Sequence, residues 1–146
     1  MPRLVEIHLT TTILDIIIYL CYNTVLEYAQ DKDEPTAFAP MTESTMTGLD
    51  NGDTITWKLS TNPGTLTAIK IKMVSKKDDV TLPSGSWKSQ WIQKPAKIST
   101  NVYQGQPNGA GATEKDPFHF AYDVDYQVAS VPSWTTLDPD VRIPSK

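Results

Sequence analysis

The chain has 146 residues, 39% of them hydrophobic, with a net charge of −4, a pI near 5.0, 11 prolines, 7 glycines and one cysteine. That length suits one domain able to bury a real core. The acidic balance excludes a general nucleic-acid binder, which needs a basic surface, and Cys21 alone excludes an intrachain disulfide framework or a multi-cysteine zinc site.

Leu4 to Leu9 alternates weakly and reads as a strand. Thr10-Thr11-Thr12 leads into the run Ile13 to Tyr22, apolar except for Asp15. The run is too short for a membrane span. Glu6, His8 and Asp15 interrupt any secretory apolar core, and no small-residue cleavage pattern follows Cys21. The expectation is a folded segment with no signal peptide, no membrane span and a cytoplasmic setting. Ile13, Ile16, Ile17, Leu20 and Cys21 fit a helical face, but the β-branched isoleucines and threonines favour a strand to about Tyr19. Residues 20–29 leave room for a short helical turn. A run apolar on both faces needs cover on both sides, from its own core or from another subunit.

Gln30 to Pro40 is polar and reads as a loop. Pro40 to Leu49 leaves room for a short strand. Asp50-Asn51-Gly52-Asp53 is a turn signal. The next run places Ile55, Trp57 and Leu59 on one face and Thr54, Thr56, Lys58 and Ser60 on the other. Thr61-Asn62-Pro63-Gly64 reads as a second turn, before Ile69, Ile71 and Met73 alternate with Lys70 and Lys72. Asp50 to Val74 is thus expected to form a β-hairpin.

Ser75 to Asp79 is a charged turn. Trp87, Ser89 and Trp91 would share one face of a strand, and Ile98, Thr100 and Val102 one face of another. Gln104 to Lys115 is the most loop-like stretch. From Pro117 to Ala129 six alternations put Phe118, Phe120, Tyr122, Val124, Tyr126 and Val128 on one face. His119, Ala121, Asp123, Asp125 and Gln127 fall on the other, expected to be wet. Lys70 and Lys72 would oppose Asp123 and Asp125 if their strands were neighbours. Trp134 to Leu137 and Val141 to Ile143 close the chain. The fold expected is an all-β, single-domain antiparallel β-sandwich of about seven short strands over residues 1–146.

Gly52-Asp53-Thr54-Ile55-Thr56-Trp57, Tyr122-x-Val124-x-Tyr126-x-Val128 and Leu137-Asp138-Pro139-Asp140-Val141-x-Ile143 together resemble a set of small bacterial β-sandwich proteins of unassigned activity. These share a GDT-x-x-W strand, an aromatic alternating strand and a closing DP-x-I segment. The order of signals is also similar, more faintly, to the PixA/AidA inclusion-body proteins. The resemblance covers roughly the Asp50 to Val74 stretch and the last 30 residues. It implies a β-sandwich without known catalysis and, from the inclusion-body side, self-assembly.

His8, His119 and Cys21 match the ligand types of a blue-copper site. Their order does not, because cupredoxins carry the cysteine on a C-terminal loop with His and Met behind it. Asp31/Asp33/Glu34, Asp123/Asp125 and Asp138/Asp140 are carboxylate clusters whose expected role is solvated charge or turn hydrogen bonding. The chain carries no G-x-S-x-G, H-E-x-x-H, P-loop or G-x-G-x-x-G motif. The expectation is a non-enzyme without metal or cofactor. One reading is a structural protein whose partner is itself, joined through Ile13, Ile16, Ile17, Ile18, Tyr19 and Leu20, with residues 1–22 as an intersubunit or core strand. The alternative is a carbohydrate- or ligand-binding module using Trp87, Trp91 and Tyr103, which would stack on sugar rings.

Overall fold

The structure, a computed structural model, describes residues 14–78, 80–82 and 84–145. Leu4 to Leu9, His8 and Ile13 lie outside the described residues. The remainder is all β, with no helix among the described residues. One six-stranded sheet has the order β3 (Ala39–Pro40), β2 (Leu26–Gln30), β1 (Asp15–Tyr22), β5 (Thr54–Gly64), β9 (Val102–Pro107), β8 (Trp91–Ser99). The second is built around β10 (Phe118–Val128). β12 (Asp140–Ile143) and β11 (Thr135–Leu137) lie on one side of it, and β6 (Leu66–Val74) and β7 (Ser86–Trp87) on the other. β4 (Met46–Gly48) extends it beyond β12.

Against the expected seven or so strands, twelve occur among the described residues, four of them pieces of two or three residues that only a neighbour's open edge defines. The antiparallel pattern is also incomplete: β1 runs parallel to β5, β7 to β10, and β4 to β12.

The alternation read from the sequence sets the core. Ile18, Leu20, Ile55 and Trp57 from the first sheet meet Ile69, Ile71, Phe120, Tyr122, Val124, Val141 and Ile143 from the second, all buried. Aromatic pairs tie the layers: Trp57 to Tyr122 at 5.0 Å between ring centroids, Trp91 to Phe120 at 5.6 Å, and Tyr22 to Tyr126 at 5.9 Å.

The strands on either side of Gly64 do not form a hairpin. β5 pairs with β1 and β9, and β6 pairs with β10 in the opposite sheet. Residues 61–64 are not a turn but the end of β5, tolerating Pro63 because β9 stops opposite Lys58 and needs no donor there. The crossing falls at Gly64, whose φ of 63° suits glycine and whose Cβ, if present, would collide with the Tyr22 carbonyl oxygen. Thr65 joins the layers. Its N–H donates to Tyr22 O at 2.8 Å, and its carbonyl accepts from Ala129 N at 2.8 Å.

Residues 26–30 are strand rather than the helical turn allowed for 20–29. Leu26 to Gln30 is drawn out by antiparallel pairing with β1, from Tyr22 opposite Leu26 to Ile18 opposite Gln30. Trp87 and Trp91 are likewise not on one strand. Trp87 is in β7 of the second sheet and Trp91 opens β8 of the first. The facing of β6 and β10 follows the sequence reading, with Asp123 opposite Lys72 and Asp125 opposite Lys70. Lys72 lies 3.5 Å from Asp125 and 4.0 Å from Asp123, whereas Lys70 stacks over the Trp134 ring at 4.3 Å.

Candidate functional site

The N-terminal strand is an interior element. β1 is paired on both edges, to β2 and to β5, so its backbone donors are engaged within its own chain. Ile18 and Leu20 point into the core at 1% and 0% exposure. Tyr19 and Cys21 alternate to the other face yet are also buried, with Asp31, Asp33 and Glu34 of the segment after β2 near Tyr19 and Thr36 and Phe38 bordering one groove with Cys21. Glu34 anchors that segment, accepting from the Ser60 hydroxyl and from Thr61 N. Burial works to raise the Glu34 carboxyl, but those hydrogen bonds prevail and hold it below the ordinary carboxylate range. Burial, followed by the charge of Glu27, pushes the Cys21 thiol up to about 11, where it is a poor nucleophile. Ile16 and Ile17 are half-buried; with Leu14, which is exposed, they border a shallow groove of about 280 Å³.

The tryptophans and Tyr103 are separated. Trp91 is 8% exposed and packs on Phe120, which removes it from any surface platform. Tyr103 is half-buried on β9, opposite Trp57. Trp87 is half-buried and borders a groove of about 380 Å³ with Lys76, Lys77, Asp78, Val80 and Thr81.

The floor beneath that groove is polar and buried. The outward face of β10 is wet only toward its C-terminal half. At its N-terminal half His119 and Ala121 are 3% and 0% exposed, which corrects the expectation of a solvated His119. The cover is residues 75–78, 80–82 and 84–87, carried across the sheet and held there by β7 pairing to Phe118 and His119. A cavity of about 260 Å³ lies between this cover, residues 43–46 and the sheet; Lys77, His119 and Asp140 line it.

The cavity has a definite polar architecture. Lys77 Nζ donates to Asp140 Oδ1 at 3.0 Å and to the carbonyl of Glu43. His119 Nε2 lies 3.1 Å from the Ser84 carbonyl oxygen. A carbonyl can only accept, so Nε2 carries the proton and Nδ1 of the neutral ring is left with a bare lone pair. Nδ1 is buried without a hydrogen-bond partner and faces Asp140 Oδ2 at 3.9 Å. Burial lowers the His119 imidazole below the usual histidine value; the Ser84 carbonyl and Asp140 oppose this in part, and Arg142 adds to it. Asp138, at the mouth of β12, has a buried and unpartnered Oδ1. Burial raises its carboxyl to about 6, against the pull of Lys77 and with help from Asp123, Glu43 and Asp140.

Sequence reasoning singled out Trp87, His119 and the Asp138/Asp140 pair, and the structure brings them to one region. It missed Lys77, which reads as one more charge in a charged turn. Only the docking of that turn on β10 and β12 buries it. His119 and Cys21, considered together for copper, lie in different sheets, and no cluster of three or more His, Cys, Asp or Glu side chains that could hold a metal ion occurs among the described residues. No helix of the described residues is long and apolar enough to cross a membrane. No protein-family model and no curated protein matches this sequence.

Proposed function

We propose that this chain is a non-enzymatic binding module of β-sandwich fold, and that it holds a carbohydrate or similarly polyhydroxylated molecule in the groove at Trp87. The observation that carries this reading is that the groove and the buried Lys77–Asp140–His119 cavity adjoin the same residues. The two share Lys77, Val80 and Thr81. An aromatic wall above a few convergent polar groups is the composition of a small-molecule site. The imidazole there is hydrogen-bonded to a backbone carbonyl rather than to a hydroxyl or thiol, so the cluster is built to hold and orient rather than to attack. Glycan-array screening of the full chain, followed by titration of the best glycan, tests the proposal. Trp87→Ala is expected to weaken binding at least tenfold. Trp134→Ala, at the other end of β10, is expected to leave it intact. Binding that survives Trp87→Ala in a folded protein would refute the site.

Self-association is the second reading, favoured by the apolar surface at Leu14 and Ile17 and by the resemblance to inclusion-body proteins. Ile18, Tyr19 and Leu20 are buried within the chain, so the residues of that strand offered for this reading are Ile16 and Ile17.

A further inference from the structure

His119 owes its burial to a lightly attached cover. Its side chain is on the outward face of β10 yet only 3% exposed. The Trp87 ring stands edge-on to it at 5.9 Å between centroids, and the Ser84 carbonyl oxygen lies 3.1 Å from Nε2. Within residues 84–88 only Ser86 and Trp87 are in regular pairing. Ser86 N donates to Pro117 O at 3.2 Å, and Lys88 N to His119 O at 2.7 Å. Lys77 adds its contacts to Asp140 and to the Glu43 carbonyl. A segment held by so few bonds opens locally at less cost than the sandwich unfolds.

Under this cover the imidazole accommodates one proton and not a second. Nε2 carries the first and donates it to the Ser84 carbonyl. Nδ1 has no hydrogen-bond partner and under 1 Å² of accessible surface, so neither water nor a ligand atom reaches it. A proton there creates a buried cation. Its acidic neighbour, Asp140 Oδ2, is 3.9 Å away, beyond hydrogen-bond reach, on a side chain already engaged by Lys77. We propose that the cover over His119 is an acid-released latch, in which a second proton on the ring lifts Ser84 to Trp87 off β10.

The groups facing the ring preserve this sign. Burial outweighs the favourable pull of the Ser84 carbonyl and Asp140, Arg142 adds to it, and the covered imidazole is held below its ordinary value of 6.5. Lys77, Glu43 and Asp138 complete the charges around the cavity. Lys76 and Asp78 offset each other in the outer groove, and Lys88 stands over the Phe118 ring. With the cover lifted, the ring meets water and titrates as an ordinary histidine. The open form therefore binds the second proton more tightly. The closed form keeps its full advantage above pH 6.5 and loses it as pH falls through the lower value of the covered ring. Lys76, Lys77, Asp78, Val80, Thr81 and Trp87, which line the groove, all belong to this cover. Opening dismantles the groove, and in that consequence, which rests on the groove reading above, a bound ligand is released at acid pH.

Amide exchange followed by NMR in the Asp138→Asn chain tests the latch, since that background removes the other group titrating at about 6. Between pH 7.5 and 5.5, after correction for intrinsic rates, protection of the Ser86 and Lys88 amides is expected to fall about fivefold or more. Amides paired between β6 and β10 are expected to keep theirs. Adding His119→Gln, which can still donate to Ser84 but does not titrate, is expected to hold Ser86 and Lys88 constant. Unchanged protection of Ser86 and Lys88 in Asp138→Asn, an equal loss in β6 and β10, or the same pH dependence with His119→Gln overturns the latch. Should the glutamine variant fail to fold, the nitrogen-15 shifts of the His119 ring decide. A ring that does not titrate over the range in which Ser86 and Lys88 lose protection overturns the latch as well. The amides report without any ligand, so a chain in which they open but no glycan binds keeps the latch and loses the groove reading.

Discussion

Lys77 and Asp140 are two charges taken almost wholly out of water, at 6% and 11% side-chain exposure and 3.0 Å apart. Such a pair adds little net stability compared with apolar residues, but breaking it strands the surviving charge. Lys77→Met is therefore expected to cost roughly 3–5 kcal/mol in urea denaturation. Adding Asp140→Asn should restore part of that loss. Additive losses would show that the two side chains are not coupled. Asp138 acts in the opposite sense. Its folded-state value, about 6, is above the 3.8 expected of a free aspartate. Its contribution to stability is thus fully present below pH 3.8 and is lost as pH rises through 6. Asp138→Asn, neutral throughout, should be more stable than the parent at pH 7, and the difference should close toward pH 4. Denaturation midpoints between pH 4 and 7 check this, and a constant offset over that range would contradict it.

At the scale of elements, β1 carries more of the fold than any other strand of its sheet except β5, because it has a strand on each edge and cover on each face. Its apolar run on both faces is accounted for by the core on one side and by the Glu34-anchored segment on the other. A chain lacking residues 1–22 is therefore expected to lose cooperative unfolding in calorimetry, since β5 and β2 would each lose one of their two neighbours and the sheet would be cut between them. A truncated chain with an intact transition would contradict this placement. The opposite edge of the same sheet is protected. β8 carries Pro95 in its middle, Lys94 and Lys97 beside it, and register breaks along its pairing with β9. Each of these features discourages addition of a further strand, despite the exposed Ile92 and Ile98 on β8.

For the whole molecule, β3, β4 and β11 are edge pieces of two or three residues and β8 is a bulged edge, features that disfavour strand addition there, while β6, nine residues paired to β10 alone, is the long edge of the second sheet. The apolar surface proposed for side-chain contact is Leu14 with Ile17, beside Gln30, Asp31 and Lys32. Light scattering of the full chain, and of Leu14→Lys, separates the two functional readings. Assembly that dissolves in Leu14→Lys would favour self-association, and a monomer in both would leave the groove at Trp87 as the only one of the two in play. Leu14 is exposed, so this substitution leaves the core untouched.

The sequence by itself determined which faces of β5, β6 and β10 are apolar, and hence the all-β class and the inward Trp57 and Tyr122. Side-chain alternation is local: each residue's face follows from its neighbour's. The sequence also has Lys70 and Lys72 opposing Asp123 and Asp125 on the condition that β6 and β10 are neighbours, a condition that the structure meets. Strand partners are a different matter, because a run such as Ile69 to Met73 pairs as well with one neighbour as with another until the layers close. Only the tertiary structure decided that β5 and β6 part at Gly64 into different sheets, that β1 lies between β2 and β5, and that Trp91 goes into the core while Trp87 borders a groove. The same holds for His119 and Lys77. Both look solvated in one dimension, and both are buried because residues 75–78, 80–82 and 84–87 fold back across β10, a contact between segments more than thirty residues apart that no local pattern encodes.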